Sequence, residues 1–212
     1  VRAAVLRALR ELRVPAGAAP ALQALGDADA SLRREAVGVL GYLKHAPALP
    51  ALAALAVDDP VDEVRRAAVG ALAFAVGDGS AGAAVRLALD DPAWQVREEA
   101  ATTLGKLALP EAVGALLRAM GDNHWQVRLR AARSLGRSRN AQALPALAEA
   151  LAHPVSNLRK EAALALGEIG APAALPALEH ASADADPEVR KAARLAIGQI
   201  RLRASEGDGA QG

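Results

Sequence analysis

"DPAWQVREEAATTLG" runs from Asp91 to Gly105 and "DNHWQVRLRAARSLG" from Asp122 to Gly136, two versions of one phrase 31 residues apart. The anchor is an aliphatic-Arg pair, and it recurs seven times: Val1-Arg2, Leu32-Arg33, Val64-Arg65, Val96-Arg97, Val127-Arg128, Leu158-Arg159 and Val189-Arg190. Four residues after each anchor stands Val5, Ala36, Ala68, Ala100, Ala131, Ala162 or Ala193; eight after it stands Leu9, Leu40, Leu72, Leu104, Leu135, Leu166 or Ile197. Apolar residues at 0, +4 and +8 form one face of a helix, here called helix B. Gly41, Gly105, Gly136, Gly167 and Gly198, at +9, read as its C-terminal end.

A second helical pattern, helix A, lies between the anchors, clearest in "APALPALAALAVDD", "NAQALPALAEALAH" and "PAALPALEHASAD". Asp59-Pro60 and Asp91-Pro92 then offer an N-cap and a first-turn proline to the next helix B. No strand-like alternation appears. The chain is expected to be all-α: a right-handed α-solenoid of stacked antiparallel helix pairs, in which each unit buries its apolar face against its neighbours.

The pattern "ALPAL…D-x-x-x-x-VR-x-x-A-A-x-x-L-G" resembles the short HEAT-like repeat of the phycobilisome-lyase type, and it covers residues 1 to about 200. The resemblance implies the solenoid fold. It leaves function open, because relatives include bilin lyase subunits, a metal-dependent hydroxylase, DNA glycosylases of related architecture and plain scaffolds. The expected organisation is a half repeat plus six helix pairs over 1–200, then a flexible polar tail over 201–212. The array opens on a helix B, so Val5, Leu6 and Leu9 are expected to lack cover, and a longer protein is expected to precede Val1.

Composition narrows the classes. The residues are 52% hydrophobic but only 2% aromatic, so the core must be Ala, Leu and Val, which lets helices approach closely. A net charge of +1 gives no global attraction for nucleic acid or acidic lipid. Apolar runs are too short to span a membrane. Without cysteine there is neither a disulfide nor a thiolate metal site; the compartment stays open, the cytoplasm favoured.

The recurrent arginines have a structural explanation. Asp27, Asp59, Asp91, Asp122 and Asp184 stand six residues before an anchor arginine, with His153 taking that place before Arg159. An Asp–Arg ladder is expected, each Asp capping a helix B and accepting from an Arg of its own or the next repeat.

The candidate site lies on another helix-B stripe, at −2, +2, +6 and +10, expected to face a concave groove. All four aromatics of the chain fall on it: Trp94 and Trp125 at −2, Tyr42 and Phe74 at +10. The stripe adds Glu98 in repeat four and Leu129, Arg133 and Arg137 in repeat five, with Arg130 adjoining. Aromatic anchors beside guanidinium groups suit a protein or peptide partner carrying acidic groups. The structural alternative is that the tryptophans staple the start of helix B and the charges form a solvated face.

No catalytic set assembles. His45, His124, His153 and His180 form no H-x-x-x-H pair, and the His-Glu dipeptides of the hydroxylase relative are absent from the chain. "GDGSAG" at 77–82 lacks the Lys-Ser/Thr of a phosphate loop. No cofactor or metal is expected. The reading is a non-catalytic protein-binding scaffold; the alternatives are nucleic-acid or DNA-lesion recognition, to which Trp125 beside an arginine cluster lends some appeal, and a bilin lyase-like subunit.

Overall fold

The computed structural model describes residues 1–12 and 14–209. They form helices α1 (Arg2–Glu11), α2 (Ala18–Ala24), α3 (Ala30–Tyr42), α4 (Leu49–Asp58), α5 (Asp62–Ala71), α6 (Gly79–Leu87), α7 (Trp94–Leu107), α8 (Val113–Ala119), α9 (Trp125–Ser138), α10 (Leu144–Ala150), α11 (Ser156–Ile169), α12 (Leu175–Ala181) and α13 (Pro187–Gly209), with no strand among the described residues. Odd-numbered helices are helix B and even-numbered ones helix A. The chain divides into two compact units, Val1–Leu109 and a second beginning at Pro110. Each is an all-α stack of solenoid type, in which α3 packs on α1 and α5 in the first unit, and α11 on α9 and α13 in the second.

Burial follows the 0, +4, +8 frame. Leu32, Ala36 and Leu40, Val64, Ala68 and Leu72, and the matching triads of α7, α9 and α11 are all essentially excluded from solvent. Helix A contributes Leu52, Leu147 and Leu178. At the ends the frame loosens. Val5 is 53% exposed, yet Leu6 is buried and Leu9 half-buried, so only part of that face lacks cover. In α13 the core position passes from half-buried Ile197 to Ile200.

The glycines at +9 do not end the helices. Helices α3, α7, α9 and α11 run beyond them, and the chain turns instead at +12, where Lys44, Ala108, Arg139 and Gly170 adopt left-handed backbone. At three of these positions, Gly41, Gly136 and Gly167, the +9 glycine is a packing residue. A Cβ on Gly41 would lie 2.7 Å from the Ala71 Cβ, and one on Gly136 or Gly167 would lie 2.7 or 2.9 Å from the Cα of Ala165 or Ala196. Each of those alanines is at +7 of the following helix B. Glycine on alanine lets consecutive B helices approach backbone to backbone.

The C-terminal expectation also changes. Helix α13 continues through Gly209, so residues 201–209 are helical rather than an irregular tail. Arg201 reaches Glu179 at 3.0 Å and Arg203 donates to the Glu168 carbonyl at 2.9 Å, which ties the start of this stretch to the preceding repeats. Residues 210–212 of the expected tail lie outside the described residues.

Candidate functional site

The anchor arginines are bridges. Arg33 donates through Nε and Nη2 to Asp59 at 2.8 Å each, while its Nη1 donates to the Asp27 carbonyl of its own link at 2.9 Å. Arg65 repeats this with Asp91 and the Asp59 carbonyl, and Arg159 with Asp184 and the His153 carbonyl. Each of these guanidinium groups joins its own link to the next by a bidentate fork.

The aspartates are not N-caps of helix B. Asp59 Oδ1 accepts from the Val61 N–H, Asp91 Oδ1 from Ala93 and Asp184 Oδ1 from Asp186, each two residues ahead. Val61 and Ala93 occupy the cap position instead. The side chain therefore builds an Asx-type turn ahead of the helix, and Pro60 and Pro92 lie within that turn rather than in the first helical turn. Burial pushes the Asp59 carboxyl up, but the Arg33 hydrogen bond, the Val61 N–H and the charges of Arg33 and Arg65 outweigh it, leaving it below the ordinary carboxylate value. Asp91 follows the same balance, and the Arg159 hydrogen bond is the chief cause at Asp184.

A second ladder was hidden from the sequence. Arg7, at +6, donates to Glu35, at +3 of the next helix B, at 2.8 Å. Arg133 at +6 pairs with Glu161 in the same register, here as a bidentate fork onto both oxygens at 2.8 and 2.6 Å, where Arg7 meets Oε1 alone. Glu35 and Glu161 are buried. Arg133 is thereby paired within the fold, although its side chain stays 42% exposed. Residues 123–148 contain no Asp or Glu, and the acids that meet them come from the following helix: Glu161 pairs with Arg133, and a Cβ on Gly136 would lie 3.0 Å from the Glu168 carboxylate. The signal that could have revealed this is the 28-residue spacing shared by Arg7–Glu35 and Arg133–Glu161.

The stripe itself is less open than its periodicity suggests, because +6 is where charged side chains cross between repeats. The Arg10 guanidinium covers Gly38 and the Glu99 carboxylate covers Gly70. The exposed part is at +10. Tyr42, the last residue of α3, is 46% exposed, and Phe74 closes the 3-10 turn Leu72–Phe74 after α5. Both line one depression of about 470 Å3 in the first unit, with Gly38, Gly41 and Gly70 and the cations Arg10 and Lys44. Trp94 and Trp125 are the first residues of α7 and α9, each half-buried, as are Glu98, Leu129 and Arg130. Arg137 is exposed. The structure thus brings Tyr42 and Phe74 to one depression and pairs Arg133 with Glu161.

Among the described residues no three His, Asp or Glu side chains converge as a metal site would require, and no helix is long and apolar enough to cross a membrane.

A family model described as HEAT repeats matches residues 1–73, 62–126, 82–156 and 115–198. No curated protein matches the chain. Among solved structures, the complex of CpcE and CpcF of phycocyanin lyase from Nostoc sp. PCC7120 is similar at 28% identity and TM-score 0.66, over 86% of this chain and 76% of that one. Human deoxyhypusine hydroxylase in complex with glycerol is similar at 25% identity and TM-score 0.50, over 93% and 88%. An engineered protein at 22% identity and TM-score 0.67, over 87% and 98%, shares the fold.

Proposed function

The chain belongs to the HEAT-repeat family, and from that premise we propose that it is a non-catalytic scaffold that binds a protein segment on its helix-B surface. The observation that carries this is the depression in the first unit, where Tyr42 and Phe74, from consecutive repeats, border one concavity. Cores recruit aromatics inward when they can. This core is filled by Leu, Val and Ala, and Tyr42 stays at the surface. An aromatic pair beside Lys44 and Arg10 suits a segment with an apolar anchor and a flanking carboxylate. Trp94 and Glu98 extend the proposed surface in the first unit; Trp125, Leu129, Arg130 and Arg137 form its counterpart in the second. The likeness to CpcE and CpcF, seen as a complex of two proteins, favours a protein partner.

The same likeness favours a second reading, a bilin lyase-like subunit, which a bilin-transfer assay tests directly. Nucleic-acid recognition has less support, since the net charge is +1 and Arg133 is neutralised by Glu161.

The test is a pull-down from lysate of the source organism, with and without nuclease, using wild type, Tyr42→Glu and, as a control on exposed Lys191 of α13, Lys191→Glu baits of equal helicity. The reading expects one protein retained by wild type and Lys191→Glu and lost by Tyr42→Glu. Equal retention by all three overturns it. Retention that requires intact nucleic acid shifts the assignment to that class.

A further inference from the structure

The Arg–Asp ladder breaks once inside the second unit. Arg128 is the anchor arginine whose next-link partner position is occupied by His153 instead of an aspartate. The imidazole keeps one half of the aspartate's work: its Nδ1 accepts the Val155 N–H at 3.1 Å, as Asp59 and Asp184 accept from Val61 and Asp186. It cannot do the other half, which is to give the arginine a carboxylate.

Arg128 is held differently from the other anchor arginines. At five other anchors Nη1 donates to the carbonyl of the arginine's own link. Arg128 instead uses Nε for the Asp122 carbonyl, and its Nη1 and Nη2 meet neither carboxylate nor other acceptor among the described residues. With Nε on that carbonyl, the Nη1–Nη2 end is the part of this half-buried side chain left to meet a ligand, and Arg128 lines a pocket of about 520 Å3 together with His153, Glu149 and apolar Leu117, Met120 and Leu158. That volume is within the range of small-ligand sites, roughly 300–1,000 Å3.

We propose that this pocket binds a monocarboxylate with an aliphatic body, its carboxylate taking the place of the missing ladder aspartate on Arg128. The Arg128 fork supplies two parallel N–H donors, the arrangement a carboxylate matches best. His153, with Nδ1 accepting from the backbone, carries its proton on Nε2 as a further donor. Burial and the Arg128 charge push the imidazole below its ordinary value, which leaves Arg128 as the fixed cation of the lining and Glu149 as its one acid. Glu149 on the lining opposes a second negative charge, which selects a monocarboxylate over phosphate. Leu117, Met120 and Leu158 supply the wall for the aliphatic body. Arg159, the other cation near His153, is already engaged by Asp184. None of these residues belongs to the helix-B surface proposed above, so either assignment can fail without the other.

The experiment is calorimetric titration of the full chain with isovalerate, N-acetyl-L-leucine, N-acetyl-L-leucinamide and inorganic phosphate. Wild type, Arg128→Gln and His153→Asp are compared. Isovalerate stands for a small free acid and N-acetyl-L-leucine for the C-terminus of a chain; the tighter of the two names the source. Saturable binding of at least one acid is expected, with the amide and phosphate weaker by about tenfold or more, the scale of one charge-assisted contact. Both variants should lose the acid. His153→Asp should do so while raising Tm, because it restores the internal carboxylate. Equal binding of acid and amide, retention by Arg128→Gln, or no saturable binding of either acid overturns the proposal. Phosphate binding as tight as the acids overturns the selectivity assigned to Glu149.

Discussion

Gly136 meets the backbone of Ala165 so closely that a Cβ built on the glycine would lie 2.7 Å from the Ala165 Cα and 3.0 Å from the Glu168 carboxylate. The backbone cannot step aside without separating α9 from α11. Gly136→Ala is therefore expected to destabilise the fold by about 1–3 kcal/mol, the usual cost of overpacking. Gly198 occupies the same +9 register in α13, where a Cβ would meet nothing within 4 Å. There alanine should stabilise by about 0.5–1 kcal/mol through helix propensity alone. Urea unfolding of both variants checks the pair; the same sign at both sites refutes the packing role.

The reach of the sequence is visible in these residues. The 0, +4, +8 frame was legible because it is written inside each helix, and Leu32, Ala36 and Leu40 are buried as it requires. The role of Gly136 was not, because a glycine near a helix end has a local explanation and the Ala165 contact comes from the next repeat. Likewise Asp59 sits where a cap would, two residues too early, and only the structure distinguishes the Asx turn from the cap. Arg133 illustrates the same limit at the candidate site: its stripe position was legible, while its partner, 28 residues on, was not.

Asp59 carries a rung of the ladder in a place water does not reach: its side chain is 1% exposed, and that of Arg33 is 11%. Asp59→Ala removes the carboxylate and the turn acceptor together, leaving a guanidinium edge without its counter-charge. The expected loss is about 3–5 kcal/mol. Asp27→Ala removes an equivalent rung whose arginine, Arg2, is 71% exposed, and it should cost far less. Parallel urea titrations measure the difference, and equal losses would mean that burial does not set the strength of a rung.

Two pH windows follow from the shifted groups. Asp59, Asp91 and Asp184 are held below the ordinary carboxylate value of 3.8 in the folded state. The unfolded chain therefore takes up their protons first. Their stabilisation is present above the unfolded value and is lost as the pH falls through it toward the folded values. His153 is held below 6.5, by burial first and then by the Arg128 charge. Here too the unfolded state binds the proton first, so a smaller loss should begin as the pH drops below 6.5. His153→Gln should remove the upper window and leave the lower one, read as Tm against pH. Persistence of the upper window in that variant would assign it to another group.

Arg133 and Arg137 lie one helical turn apart on α9 and should behave as opposites. Arg133 is clasped by Glu161, whose side chain is 8% exposed, at 2.6 Å, whereas Arg137 is exposed. Arg133→Glu sets one carboxylate against two, Glu161 and the nearby Glu168, and strips a buried acid of its counter-charge. A loss of about 3 kcal/mol or more is expected. Arg137→Glu should leave the unfolding midpoint unchanged, which makes it the variant that can probe the proposed binding surface without disturbing the fold. Urea midpoints for the two decide the matter. If Arg133→Glu unfolds no more readily than Arg137→Glu, the pair with Glu161 carries no weight, and Arg133 returns to the set of residues available to a partner.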